Sequence, residues 1–335
     1  MVNIIIPFCN KSPEDLSLLE AAMYSIKNQT YNYHVTTIVD DSPKKNKSKE
    51  KILSLYKKLG LKGKYLETSQ GCMGPSIGRK IGLDYAKEHD FQYVMFLDSD
   101  DLLMPRAVEV LNRTISRTLA DVVISPISME DKNKDLVILP NKNNMTWLHG
   151  KIYRTAALLK HDIDFNEHIF SNEDACFNTQ VTFLLNKKEY IEESVYLWKY
   201  NKNSLTRKDP TQFFKISSSN YIEGQCWAIK RVLEKGKISS NIIYTLEEIY
   251  YMDMIYRQLC GFDEKSPFVP FYDFLILDLL FTPKIIEVLK NKKVKKAIYS
   301  SLKGSFLIDD KIFFFSKNFI EWLQSYNEEL GGILL

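Results

Sequence analysis

Short apolar runs alternate with helical patterns through the first hundred residues, and no other feature restricts the fold as strongly. Residues 2–7 (VNIIIP) are β-branched and compact and stop on Pro7, as a buried strand would. Over 16–29, Leu19, Ala22, Met23 and Ile26 fall at helical spacing. Residues 34–39 (HVTTIV) read as a second strand, 50–59 as a helix, 64–67 as a short strand, 76–88 as a helix and 93–97 (YVMFL) as a fourth strand. Such alternation predicts an α/β fold, a mostly parallel sheet flanked by helices. Ligands of these sheets gather beyond the carboxyl ends of the strands. Two of those ends carry acidic clusters.

Beyond about residue 209 the strand signal fades, and long patterns rich in Tyr, Phe, Ile and Leu take over, as over 242–259. A chain of 335 residues accommodates one large domain or two ordinary ones. We expect a first domain over 1–210 and a mainly helical C-terminal domain over 211–335, which serves acceptor binding or oligomerisation. A net charge of +3 argues against a general polyanion binder, while leaving room for a local basic groove. Cys9, Cys72, Cys176, Cys226 and Cys260 are scattered, without any Cys-x-x-Cys spacing, which argues against a disulfide framework or zinc site. No apolar run approaches the ~20 residues of a spanning helix; the longest, 271–281, is broken by Asp273 and Asp278. With no basic leader either, the expectation is a cytoplasmic protein, peripheral to the membrane at most.

Asp98-Ser99-Asp100-Asp101 follows the fourth apolar run directly. Carboxylates crowded there repel one another unless a cation neutralises them. If the strand continues, Asp98 and Asp100 point to one side and share a hard divalent ion, which takes its other oxygens from phosphate and water. The plain alternative is a turn in which Asp101 caps a helix. One Asp would satisfy that; three in four residues favour a metal–diphosphate site. Asp40-Asp41-Ser42-Pro43 ends the second strand and is, alone, an ordinary turn. Beside the first cluster it suggests two strand ends facing one nucleotide.

The loop from Gly71 to Ser76 runs into a helix that opens with Ile77-Gly78-Arg79-Lys80. Glycine lets backbone N–H groups approach phosphate, and a helix start favours anions. Neither the P-loop nor the dinucleotide pattern is matched. Arg79 is well placed for a diphosphate, though it also reads as a surface charge. Asn172-Glu173-Asp174 reads either as a capped helix start or as the source of a general base.

Taken in order, IIIPFCN, SIKNQTY, VDDSP, GPSIGRKIGLDYAK, VMFLDSDDLLMPRAVEVL and SNEDACFN resemble the family 2 glycosyltransferases of the GT-A fold, over about the first two thirds of the chain. The resemblance implies a metal-dependent, inverting transferase with a nucleotide-sugar donor, a UDP-sugar, and an acceptor hydroxyl on a glycan or cell-surface polymer. It implies that Pro7, Phe8 and Asp40 or Asp41 hold base and ribose, that Arg79 faces the diphosphate, and that the Asp98-Ser99-Asp100 motif binds Mn²⁺ or Mg²⁺ through Asp98 and Asp100. Glu173 and Asp174 match the Glu-Asp motif, with Asp174 as base. Departures are Cys9 for the usual Tyr, Pro43 for a glycine and Lys80 for a frequent Asn. Trp147 reads as a core aromatic or an acceptor platform, and His149 equally as a structural histidine or an acceptor contact. Ser204 and Arg207 occupy the place of the family's flap over the diphosphate.

Two other functions fit less well. One keeps the chemistry and takes modified bases of DNA as acceptor, with Lys44, Lys45, Lys47, Lys49 and the run at 290–296 contacting phosphates. The other is a helical interaction protein carrying an inactive transferase domain. The C-terminal helices are also a candidate homo-oligomer interface.

Overall fold

The computed structural model describes residues 1–46, 48–140, 146–202, 204, 210–237, 241–261, 271–292, 305–308, 311–314 and 319–325. The chain divides into two compact units, Met1–Arg207 and Lys208–Leu335.

The first unit is built on a seven-stranded sheet of β1 (Val2–Phe8), β2 (His34–Asp40), β3 (Gly63–Glu67), β4 (Tyr93–Phe96), β6 (Val122–Ile124), β9 (Lys151–Arg154) and β10 (Lys188–Tyr190), in the order β10-β6-β9-β4-β1-β2-β3. β1 pairs in parallel with β2 and β4, β2 with β3, and β6 with β10. β9 alone runs antiparallel to its neighbours β4 and β6. The mostly parallel sheet expected from the alternation is present, with one reversed strand inserted. A smaller sheet of β5 (Leu102–Leu103), β7 (Ile127–Glu130), β8 (Leu136–Leu139) and β11 (Tyr196–Trp198) has the order β5-β11-β7-β8.

All seven residues of β1 are buried, because it lies inside the sheet with β4 on one side and β2 on the other. The helices of this unit are α1 (Pro13–Lys27), α2 (Lys49–Leu59), α3 (Pro75–Glu88), α4 (Ala107–Thr118), α5 (Thr155–Lys160) and α6 (Glu173–Leu184). α1 starts about one turn earlier than its apolar spacing suggests. Pro13 suits a first helical position, and the Asp15 carboxylate accepts the Ser12 N–H at 2.6 Å. α3 lies unusually close to β1: a Cβ on Gly82 would sit 2.4 Å from Ile5, and one on Gly78 3.1 Å from Pro7. This close contact carries Arg79 to the carboxyl edge of the sheet.

The second unit contains α7 (Pro210–Glu234), α8 (Asn241–Cys260), α9 (Phe271–Leu280), α10 (Pro283–Leu289) and α11 (Phe319–Gln324). To the expected helices it adds an antiparallel hairpin, β12 (Ser305–Ile308) with β13 (Lys311–Phe314). Tyr250 packs on Tyr251, Phe319 and Trp322 with ring centroids 5.4, 5.6 and 5.0 Å apart. Part of the Tyr- and Phe-rich pattern of this region is therefore ordinary core. No helix among the described residues is long and apolar enough to cross a membrane.

Candidate active site

Parallel register brings the ends of three strands to one edge. Phe8 lies beside Asp40, and Ile5 beside Phe96, one residue before Leu97 and Asp98. The reversed strand delivers a residue from far along the chain to the same place. Met95 pairs with Ile152, so the same register carried three residues further sets Asp98 against His149. His149 Nε2 lies 3.3 Å from Asp98 Oδ2, and its ring stacks on Tyr196 at 4.7 Å. Gly150 makes the approach possible: its φ is +67°, and a Cβ there would meet Ser125 Oγ at 2.5 Å.

Arg79 is the electrostatic centre of this edge. Its side chain is 5% exposed; Nη2 donates to Asp98 Oδ1 at 2.5 Å and Nη1 to Glu173 Oε1. Burial opposes ionisation of Asp98, but Arg79 and His149 overcome it and hold the carboxyl well below the usual range. Burial dominates at Glu173 and pushes it up to about 7 despite Arg79. Asp174, half-buried beside it, is also raised by burial, with Arg79 and His149 opposing. The Asp174 Oδ1 accepts the Ala175 N–H at 2.8 Å. Asn172 occupies the cap position of α6 with φ +60° and makes no side-chain cap bond, so plain capping does not account for this acidic start.

The end of the fourth strand brings Asp100, Asp101 and His149 within electrostatic reach of Asp98. β4 stops at Phe96, and residues 98–101 close a turn in which the Asp101 N–H donates to Asp98 O at 3.1 Å. Strand alternation therefore does not extend to Asp100, whose Oδ2 accepts Asn201 Nδ2 at 2.8 Å; Ser99 lies in the same turn. Asp101 is 2% exposed and accepts Tyr196 Oη at 2.7 Å and the Lys199 N–H at 2.9 Å. It caps no helix: α4 begins only at Ala107, with Arg106 at the cap position. Among the described residues, Asp98, Asp101 and His149 offer ligand atoms within 4.8 Å of one another. Burial raises Asp101 to about 8, with Asp100 and Asp98 adding to it. A corner that disfavours its own anion in this way fits a divalent cation.

Asp40 and Asp41 reach the same edge with their oxygens engaged locally. Asp40 accepts the N–H groups of Ser42 and Ser48 at 2.9 and 3.1 Å and Tyr65 Oη at 2.9 Å. Asp41 accepts Thr68 Oγ1 at 2.8 Å and the Met73 and Gly74 N–H groups at 2.9 and 2.7 Å. The plain turn function therefore holds for both, and Asp41 also shapes the loop before α3. Pro7 and Phe8 are buried at the end of β1.

Trp147 meets Trp198 edge-on at 5.6 Å, and His149 lies 5.5 Å from Trp198. Ser204 is half-buried in a bend, while Arg207 lies outside the described residues. Sequence patterns do not single out Tyr196, Lys151 or Asn178. Asn178, one turn after Asp174, donates to Asp174 O at 3.0 Å and Thr146 O at 2.8 Å, and accepts Tyr153 Oη at 3.0 Å. Lys151 is buried and donates to Trp147 O; burial pushes its ammonium down to about 7, with Asp174 opposing. A polar residue at helical spacing from Asp174 was the available signal for Asn178.

Glu173 sets a measurable pH dependence. Its pKa rises from an ordinary 4.5 to about 7 on folding, so its contribution is fully present below pH 4.5 and is lost as pH climbs through 7. Without divalent cations, the Tm of the native protein should fall between pH 5 and 8, and less so in Glu173→Gln. Equal slopes by scanning fluorimetry would contradict the assignment. Asp101 acts in the same direction and leaves the variant some slope.

The model for glycosyl transferase family 2 matches residues 3–171. The poly(ribitol-phosphate) β-N-acetylglucosaminyltransferase TarP of Staphylococcus aureus (strain N315) is 26% identical over 235 residues, 66% of this chain and 68% of TarP. The same-named transferase TarS of S. aureus (strain Mu50 / ATCC 700699) is 27% identical over 181 residues, 49% of this chain and 31% of TarS, so the matched part spans about a third of that protein. The crystal structure of S. aureus TarS 1–349 in complex with UDP-GlcNAc shares the fold with a TM-score of 0.55, at 15% identity over 94% of this chain and 97% of that one. The architecture is the GT-A type. The family match runs from β1 through the segments that carry Arg79, Asp98, Asp101 and His149 over half of the sequence, and the chain belongs to glycosyl transferase family 2.

Proposed function

We propose that this protein moves N-acetylglucosamine from UDP-GlcNAc to a hydroxyl of a polyol-phosphate polymer of the cell surface, inverting the anomeric carbon. One observation carries the reading: Arg79, His149 and Asp98 all lie within electrostatic reach of Asp174 at a single sheet edge. Groups suited to a leaving diphosphate thus stand close to a carboxylate suited to take a proton. The printed names of TarP and TarS, and the UDP-GlcNAc complex of TarS, support the choice of sugar, nucleotide and polymer.

Asp98, Asp101 and His149 would hold Mn²⁺, which when bound supplies Lewis-acid stabilisation of the diphosphate. Arg79 contributes a fixed guanidinium, worth more in this buried setting than in water. Pro7, Phe8, Asp40 and Asp41 form the nucleotide end, the aspartates acting through the loops they organise. Asp174 takes the proton of the acceptor hydroxyl while the oxygen attacks the anomeric carbon opposite the diphosphate. The bond to UDP breaks, and its electron pair leaves on the phosphate oxygen. A single displacement of this kind inverts configuration, by the geometry of inverting glycosidases. The raised pKa of Asp174 makes it a stronger base than an exposed carboxylate. Glu173 orients Arg79. Trp147 and Trp198 offer aromatic faces to a sugar or polyol. Lys44, Lys45 and Lys49 are exposed just beyond Asp40 and Asp41 and supply polymer phosphate contacts. A nucleotide-sugar donor places the reaction in the cytoplasm or at the inner membrane face.

The decisive experiment supplies radiolabelled UDP-GlcNAc and Mn²⁺ with either poly(ribitol phosphate) or hydroxymethylated duplex DNA. Label should enter the polymer and not the DNA, and a chelator should reduce transfer at least tenfold. Label in DNA, or no UDP release with polymer present, would reject this function.

A further inference from the structure

Two of the five cysteines meet at the nucleotide end of the site. Cys9 directly follows Pro7 and Phe8, and Cys72 lies in the loop ahead of α3. Both hang on one carbonyl: Cys9 Sγ donates to Asp41 O at 3.4 Å, and the Cys72 N–H donates to the same oxygen at 2.6 Å. The two residues therefore flank a single carbonyl oxygen. The loop has little freedom to part them. Asp41 holds the N–H groups of Met73 and Gly74, and Gly71 and Gly74 have φ of +76° and +99°. A Cβ on Gly71 would lie 2.4 Å from Ser42 O, and one on Gly74 2.7 Å from the Phe170 ring. Cys72, between them, is held at φ +56°.

The two thiols differ in access. Cys72 is exposed and Cys9 is half-buried, whereas Cys176 and Cys226 are buried. Burial, opposed by Lys11 and reinforced by Cys72 and Asp41, pushes the Cys9 thiol up to about 12. Cys72 is therefore the thiol that meets an oxidant first, and Cys9 the one that resolves it.

We propose that Cys9 and Cys72 are a modification site, a thiol pair that a low-molecular-weight disulfide converts to an intramolecular disulfide which closes the nucleotide end of the cleft. The closing half rests on the assignment of Pro7, Phe8, Asp40 and Asp41 to the nucleotide. In the first step the Cys72 thiolate attacks one sulfur of the oxidant; its S–S bond breaks and a thiolate leaves. The Cys9 sulfur, its proton lost to solvent, then attacks the Cys72 sulfur of the mixed disulfide, forming the protein S–S bond and expelling the second small thiolate. Two protein thiols are oxidised and one small disulfide is reduced to two thiols. The new bond ties the end of β1 to the loop ahead of α3 across the Asp41 carbonyl.

The test treats the full chain with oxidised glutathione at pH 8.5, blocks free thiols with N-ethylmaleimide and measures mass before and after non-reducing trypsin digestion. The expected product has lost two hydrogens and yields residues 1–11 linked to 65–79. Cys9→Ser should stop at a glutathione adduct on Cys72, and Cys72→Ser should give no linked peptide. UDP affinity, measured by calorimetry, should fall at least tenfold on oxidation, recover with dithiothreitol, and not fall in Cys72→Ser. A native protein that keeps glutathione on Cys72 with Cys9 alkylated overturns the pair. A linked protein with undiminished UDP affinity overturns the closure. Reduced protein that fails to bind UDP would instead count against the proposed function, and the linked peptide would still decide the pair.

Discussion

Asp174→Asn should lower kcat by about 10²–10⁴-fold, the range general-base catalysis supplies, while UDP affinity changes less than twofold. The substitution keeps the size of the side chain and removes the proton acceptor. Asp174 is half-buried and bonded to the Ala175 N–H, an interaction an amide oxygen can repeat, so the fold should survive. Glu173→Gln provides the contrast. It disturbs the orientation of Arg79 and should depress kcat less, because that carboxylate is engaged by the guanidinium. Single-turnover transfer with pre-bound donor separates the two variants. Undiminished transfer by Asp174→Asn would remove it from the base role.

Arg79→Met should produce the largest loss of stability. Arg79 and Glu173 side chains are 5% and 8% exposed, so methionine leaves Glu173 buried without its partner and Asp98 without its main counter-charge. Breaking a buried pair from one side costs about 3–5 kcal/mol, or a Tm lowered by roughly 6–20 °C for a unit of this size. Arg79→Met combined with Glu173→Gln should recover part of the loss, since the stranded charge is gone. Arg79→Lys should fall between, because an ammonium lacks the fork that reaches two carboxylates. A shift under about 2 °C in Arg79→Met would show that the pair contributes little.

Local order along the chain was legible from residue type and spacing, because the strands of the first unit are apolar runs buried on both faces. The start of α1 was misplaced because capping by Ser12 and Asp15 extends a helix beyond its apolar stripe. Asp98, Arg79, Glu173 and Asp174 stood out as charges at strand and helix ends, and the structure gathers them. A continuing strand would set Asp98 and Asp100 on one side; the chain turns there instead and brings Asp101 close to Asp98 as well. The position of His149 depends on a reversed strand, and nothing local to WLHGK announces its direction. Tyr196 and Asn201 reach the acidic turn across about a hundred residues, a separation no spacing pattern spans.

The reversed strand has a consequence for assembly. β9 lies between β4 and β6 and is made some fifty residues after β4. The corner formed by Asp98, Asp101 and His149 therefore does not exist until the chain is synthesised past Arg154 and β9 has inserted in register. A one-residue slip would turn every side chain of the strand to the opposite face. A cation held at this corner should therefore bind during refolding only once β9 has paired with β4, so its uptake would report that insertion rather than early collapse.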